Sequence, residues 1–225
     1  MFKHTLALVG LSLITLSANA ALYDRGNGLI YDDVLDITWL QDANYAYTSG
    51  YAAANDTGLH SGYKSDGRMH YYPAKAWANQ LSYGGYDDWR LPSANLMNPT
   101  NPCNAKDGSC DTGYNNTTGE LGHMFYNNLG NLGKYDSDGN YQSGFGVTNS
   151  SFTDGNSGAS VSILNLQNGI YRFGEIGYHS GGGSAWTFSN YTGEQTGDRA
   201  NGFEFYSWAV RDLSLIHISE PTRPY

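Results

Sequence analysis

Tyr86-Asp87-Asp88-Trp89-Arg90-Leu91-Pro92 is the stretch on which the reading of this chain turns. Trp89 and Leu91 are two residues apart, so on an extended backbone both point to one face, and that face is the interior. Pro92 has no N–H to give a ladder and ends the strand. Arg90 falls on the opposite face, where its planar fork suits a bidentate pair with a carboxylate such as Asp87 or Asp88. Such a pair would fasten the corner between this strand and the helix before it, a structural role rather than a ligand site. That helix is expected over Pro73 to Ser82. Ala74, Trp77, Ala78 and Leu81 make one apolar face, proline suits a first turn, and Gly84-Gly85 stops it.

Upstream, Leu22 to Gln41 predicts strands joined by a turn. Arg25-Gly26-Asn27-Gly28 carries an Asn-Gly pair, a strong hairpin signal. Leu29-Ile30-Tyr31 follows, then an acidic turn at Asp32, Asp33 and Asp36, then Ile37-Thr38-Trp39-Leu40. From Asp42 to Arg68 the chain is rich in Gly, Asn and Tyr and reads as a variable surface loop. Downstream, Thr117-x-x-Glu120 fits a capping box opening a helix over Glu120 to Leu129, with Leu121, Met124, Phe125 and Leu129 as its apolar stripe. His123 on that helix reads as a partly exposed histidine, since no His or Cys partner flanks it. Short strands are expected at Gly146 to Thr148, Ser160 to Leu166, Ile170 to Phe173, Ala185 to Phe188 and Phe203 to Val210, the last as a central strand closing the domain. Helices early and strands late make the fold class α+β, in one domain over 21–212. Its interior should gather Trp39, Trp77, Trp89 and Trp208.

The two ends read differently. Lys3 and His4, an apolar run of 11 residues from Leu6 to Leu16, and Ala18-Asn19-Ala20 have the form of a signal peptide over 1–20. The alternatives are a buried helix or an anchor, but the run falls well short of the ~20 residues a bilayer span needs. Leu213 to Arg223 matches eleven in-frame codons of a transposon-end sequencing adapter. The segment 213–225 is therefore read as a scar, with no weight placed on His217, Glu220 or Arg223.

Composition excludes some functions. The formal net charge is −9, and Lys and Arg are scattered singly. Such a field repels nucleic acid, anionic lipid and sulfated polysaccharide. The 29 glycines punctuate many turns, while five Trp and eight Phe supply the apolar area that a disordered chain lacks. Cys103 and Cys110 read as a local disulfide of an exported chain, because a zinc site needs more ligands and redox pairs are usually spaced more tightly. No Gly-x-Ser-x-Gly, His-Glu-x-x-His, phosphate loop or dinucleotide fingerprint occurs. Asp136-Ser137-Asp138-Gly139-Asn140 hints at calcium. Its glycine is fourth rather than sixth and Val147 stands where a twelfth-position Glu belongs, so an Asp-Gly turn is the better reading. No metal or cofactor is expected.

Three segments together resemble the Lcl C-terminal-domain family, long catalogued as a domain of unknown function. They are Asp24 to Tyr31 with Ile37 to Leu40, Ala76-Trp77-Ala78 running to Gly85-Tyr86-Asp87-Asp88-Trp89-Arg90-Leu91-Pro92, and Phe205 to Arg211. The middle one is similar to the family's most specific signature. The family's "W-S-S/G" element has only Tyr171-Arg172-Phe173-Gly174 as its nearest match, so that region has diverged. The resemblance implies a C-type-lectin-like fold, grouped with sulfatase-modifying factors, in an exported bacterial surface protein of the kind that carries a Pro-Glu-Pro sorting tag.

The family's namesake adhesin binds glycosaminoglycans, but a net charge of −9 fits a neutral glycan or a surface protein better. The leading expectation is a noncatalytic extracellular recognition or adhesion module, whose Tyr and Trp in Gly-rich loops stack on sugar rings. The alternatives are a structural component of the cell surface or biofilm matrix and, third, an oxidase of the formylglycine-generating type. The last needs a reactive cysteine pair late in the chain, whereas Cys103 and Cys110 are early.

Overall fold

The computed structural model describes residues 21–98, 103–177 and 183–213. The signal-peptide reading of 1–20 lies outside the described residues, as does the adapter reading beyond Leu213. Two-residue alternation and glycine turns produce eleven short strands among the described residues, with every described helix preceding the strand that begins at Ser151, an α+β architecture.

The first sheet begins as expected. Strands β1 (Leu22–Asp24) and β2 (Leu29–Asp32) pair antiparallel. They turn through Asn27 and Gly28, both at positive φ (53° and 75°). Gly28 has a second reason to lack a side chain, since a Cβ there would collide with the Tyr83 hydroxyl. The acidic turn leads into β3 (Ile37–Leu40). Buried Asp32 shapes that turn by accepting the Val34 and Leu35 N–H groups and the Asn128 amide. The sheet order is β1-β2-β3-β11, where β11 is Val210–Asp212.

The Asp42–Arg68 segment is more ordered than a variable loop. It holds helices α1 (Tyr45–Thr48) and α2 (Tyr51–Asn55), because Ala43, Ala46 and Ala52 are small enough to be buried in the core. Gly50, at φ 76°, lets the chain pass from one helix to the next. Helix α3 spans Tyr71–Asn79 and buries Ala74, Trp77 and Ala78, as the periodicity predicts. Pro73 sits in its first turn, where a missing N–H is harmless.

The second helical element departs from expectation. Only Glu120–Gly122 (α4) is α-helical, and His123–Asn128 winds as a wider π-helical turn. The capping box does not form. Asn116 shapes the turn before the helix, its Oδ1 accepting from Thr118 and Gly119 N–H, the N-cap Gly119 brings no side-chain cap, and the Glu120 carboxylate turns toward Arg90. Glu120 through Phe125 are all buried, which leaves no solvent face for His123.

The second sheet is ordered β4-β5-β10-β9-β8, from Asn104–Ala105, Thr112–Gly113, Glu194–Arg199, Ser184–Ser189 and Ile170–Gly177. Its pairs are antiparallel except β4 with β5. Strands β6 (Ser151–Thr153) and β7 (Ser160–Ser162) form a separate hairpin, and Gly146 contributes only a single bridge to Leu132. Phe203 to Val210 is not one strand. Phe205 bridges Met69, Tyr206 bridges Tyr171 on β8, and Val210 enters the first sheet beside Trp39. The segment is thus a tie between two sheets.

All five tryptophans lie in one cluster, Trp39, Trp77, Trp89, Trp186 and Trp208 being at most 2% exposed. Trp39 and Trp208 rings are 4.6 Å apart, and Trp208 Nε1 donates to the Leu40 carbonyl at 2.6 Å. Because Trp208 joins the tie to the first sheet, Trp208→Ala is expected to cost roughly 3–5 kcal/mol. Urea unfolding followed by tryptophan fluorescence measures it, and a loss below about 1 kcal/mol would contradict this packing.

Candidate functional site

The signature stretch alternates as its sequence requires. Trp89 and Leu91 are buried, Asp88 is exposed and Arg90 half-buried. Arg90 and Val210 exchange backbone hydrogen bonds of 2.8 and 2.9 Å, so this stretch lies beside β11. Arg90 does not pair with Asp87 or Asp88. Its two terminal nitrogens grip the Glu120 carboxylate at 2.9 and 2.8 Å, and it also reaches Asp212 at 2.5 Å. Asp88 is held instead by Arg211 at 2.6 and 2.9 Å, and that guanidinium lies 3.8 Å from the Tyr86 ring centroid. The reason is geometric. Same-face residues along a strand are about 6.5–7 Å apart, whereas cross-strand neighbours come within about 5 Å. Asp87 is exposed. Pro92 offers its carbonyl to Gly174 N–H at 2.8 Å.

These pairs are internal fasteners. Burial by itself would lower the Arg90 pKa, but Glu120 and Asp212 outweigh it and the net shift is upward. The hydrogen bonds from Arg211 hold Asp88 below its ordinary value of 3.8. A cleft of about 460 Å³ opens at this corner, lined by Lys75, Arg90, Ser93, Asn95, Glu120 and Glu175. Its carboxylates are already engaged. Glu120 also accepts Ser93 N–H at 2.7 Å, and Glu175 accepts the Ser93 hydroxyl and Ala94 N–H at 2.6 and 3.0 Å.

The other candidates resolve simply. Cys103 and Cys110 are joined in a disulfide, with Cα atoms 5.1 Å apart. Asp136 accepts Asp138 and Asn140 N–H at 3.0 and 2.8 Å, an Asp-Gly turn with Gly139 at φ 85°. Among the described residues no group of three or more His, Cys, Asp or Glu could hold a metal ion. His123 is buried rather than partly exposed. Its Nδ1 meets the Asn127 amide at 3.0 Å and its Nε2 has no partner.

Two further clefts present uncommitted surface. One, of about 350 Å³, is lined by Arg68, Asn168, Phe203, Glu204, Phe205 and Tyr206. The Phe203 and Phe205 rings are near-parallel, 6.2 Å apart and inclined by 24°, and Phe203 is 55% exposed. Fully buried Arg172 builds this floor from below. Its Nη2 donates to the carbonyls of Phe203 (2.6 Å), Ala200 (3.3 Å) and Arg199 (3.4 Å), and its guanidinium lies 4.5 Å from the Phe205 ring centroid. Nε and Nη1 of Arg172 have no partner, and burial pushes its pKa down to about 10. At the rim Glu204 faces Lys64 and His70 at 3.5 and 3.4 Å, and Arg68 faces Asp66 at 2.9 Å.

The other cleft, of about 470 Å³, lies among α1, α2 and the end of α3, and none of its lining side chains is charged. Tyr45, Tyr51, Ser49, Gln80 and Ser82 line it, with Gln80 Nε2 donating to the Tyr51 hydroxyl at 2.6 Å. Sequence reasoning missed both clefts as sites. The clue to the second was the tyrosine density between Asp42 and Arg68, and the clue to the first was the arginine in the diverged Tyr171-Arg172-Phe173-Gly174 element.

No protein-family model, curated protein or solved structure matches the chain.

Two outcomes follow from the fasteners. Glu120→Ala removes one of the two carboxylates that hold Arg90 and the acceptor of the Ser93 N–H, and should cost about 2–4 kcal/mol in urea unfolding, somewhat below the cost of breaking a fully buried pair because Asp212 still holds Arg90. Glu120→Gln, which keeps an acceptor, should cost less. Asp88 has a depressed folded pKa, so its contribution is present above its ordinary 3.8 and is lost as pH falls through the folded value. Acid titration of Asp88→Asn should therefore show a shallower fall in stability below about pH 4 than the parent chain. Parallel curves would refute the Asp88–Arg211 assignment.

Proposed function

We propose that this chain is a noncatalytic extracellular recognition or adhesion module that binds a neutral glycan at the Phe203–Phe205 cleft. The observation that carries the reading is the near-parallel pair of phenyl rings, with Phe203 55% exposed, bordered by a guanidinium, a carboxamide and a carboxylate. Ring faces match the C–H faces of sugars, and planar polar groups match their adjacent hydroxyls. Ligand sites commonly combine an apolar floor with a few placed polar groups. Exposed apolar patches bordered by polar residues mark such surfaces.

Charge selects within that class. A chain of net charge −9 disfavours sulfated or uronic polymers, and the charged rim residues already have opposite partners. The disulfide fits an oxidising compartment. No helix among the described residues is long and apolar enough to cross a membrane. Support for a relation to the Lcl C-terminal-domain family, and for a C-type-lectin-like arrangement, comes from the adjacency of its three motif segments. The β2–β3 strands, β11 and Arg90 stand side by side. A noncatalytic role accords with a signature cleft whose carboxylates are all engaged and with a cysteine pair joined to itself.

The test is a glycan array carrying neutral and sulfated oligosaccharides, followed by calorimetry on the retained ligands. Neutral glycans should bind, and Phe203→Ala or Phe205→Ala should weaken binding at least tenfold, with near-ultraviolet dichroism unchanged for Phe203→Ala. The absence of neutral-glycan binding at submillimolar concentration, or full affinity in both variants, would refute the assignment.

A further inference from the structure

We infer that the two uncommitted clefts form one track for a linear neutral oligosaccharide, with the Ser61–His70 segment as the ridge between them; this rests on the glycan reading of the Phe203–Phe205 cleft. The argument is a chain of contacts. Tyr51, on the wall of the uncharged cleft, packs its ring on Tyr63 at 6.0 Å. Tyr63 is followed on the ridge by half-buried Lys64, whose Nζ lies 3.5 Å from Glu204 on the wall of the other cleft. Beneath the ridge, fully buried Met69 exchanges backbone hydrogen bonds of 2.7 and 2.9 Å with Phe205 and so ties the phenyl wall to it. At the surface, one ring contact, one peptide step and one ion pair link the two walls. No single sugar ring covers that span, whereas a chain of several units does.

The ridge is rigid enough to fix the relation of the clefts. Lys64 N–H bonds Arg68 O at 2.8 Å, Gly67 N–H bonds Lys64 O at 2.9 Å, and His70 N–H bonds Gly62 O at 2.8 Å. The amide of Asn44, just before α1, holds the Asp66 carbonyl at 3.0 Å. Glu204 beside the phenyl rings reaches back to Lys64 and His70 on the ridge. Both clefts offer rings with neutral or charge-paired polar groups, so one uncharged polymer suits both. A ligand that reaches the second cleft after docking in the first binds it intramolecularly, and affinity rises without any new kind of contact.

The probes are cello-, malto- and manno-oligosaccharides of two and six units, titrated by calorimetry into the whole chain. The six-unit member of at least one series should bind tenfold or more tighter than its two-unit member. Tyr51→Ala should remove most of that gain while leaving two-unit binding at the phenyl cleft within twofold. Gln80→Ala, at an exposed position, gives the same readout if Tyr51→Ala fails to fold. Equal affinity for both lengths, or an unchanged length gain in both variants, overturns the track but leaves the phenyl cleft standing. Failure of every oligosaccharide to bind overturns the glycan reading and the track with it.

Discussion

Val210 has a strand on either side, the β3 side being bonded through the neighbouring Ala209 carbonyl and Leu40 N–H at 3.1 Å, and the rest of the molecule is arranged around that fact. On one side it pairs with Trp39 in β3, and on the other it exchanges two backbone bonds with Arg90. A strand near the end of the chain thereby closes a sheet opened near its start. The neighbouring bond from Trp208 Nε1 to Leu40 O spans 168 residues of sequence. Such a closure takes a large loop entropy before it returns any burial. The return is concentrated at the same place: Trp39, Trp208, Leu91 and Trp89 are buried in one core. Arg90 with Glu120 and Asp212, and Asp88 with Arg211, then fix the register from the solvent side. The signature stretch is a latch.

A chain with 29 glycines and many short strands cannot hold its loops by apolar contact alone. Buried polar side chains do it by collecting backbone groups. Asp111 accepts Met97 and Asn98 N–H, Asn131 accepts Thr148 and Asn149 N–H, and Asp154 accepts Asp24 and Ser157 N–H. Each replaces a stretch of secondary structure with one satisfied acceptor, which meets the rule that buried backbone groups be paired. Arg172 is the extreme case. It gathers three carbonyls with one nitrogen while two others go unpaired, and a fully buried guanidinium in that state is costly. A fold tolerates such a group where it holds something in place, and what Arg172 holds is the loop bearing Phe203 and the ring of Phe205.

Legibility from sequence followed the source of each structural signal. The Asn27-Gly28 turn, the Ala74–Trp77–Ala78 face, the disulfide and the convergence of the tryptophans were readable because local chemistry determines them. Strand β10 was not, since Glu-Gln-Thr-Gly-Asp-Arg has no apolar alternation and its place depends on β9 and on Gln195 Nε2 reaching Asp111 O. The capping box failed for a similar reason. Thr117 and Glu120 have the right spacing, but a buried carboxylate gains more from Arg90 than from a helix end. The partners of Arg90 were misassigned because sequence proximity is a poor guide on a strand, where the nearest opposite charge lies across the ladder. Both clefts depend on long-range placement: Phe203 and Phe205 looked like strand residues, and Tyr45 and Tyr51 looked like loop.

On the proposed recognition role, the clefts and the charge of the molecule would divide the work. A net charge of −9 acts at long range, where it biases which molecules approach, and salt weakens that bias. Inside the clefts the charges are paired, Arg68 with Asp66 and Glu204 with Lys64, while the tyrosine cleft has no charged lining. Discrimination at contact distance therefore falls to ring faces, amides and hydroxyls. These groups reward a ligand with an apolar face and evenly spaced hydroxyls, and they give a polyanion nothing to offset its repulsion. On the glycan reading proposed above, an acidic surface around charge-paired aromatic clefts would select uncharged sugars twice, first by exclusion and then by fit.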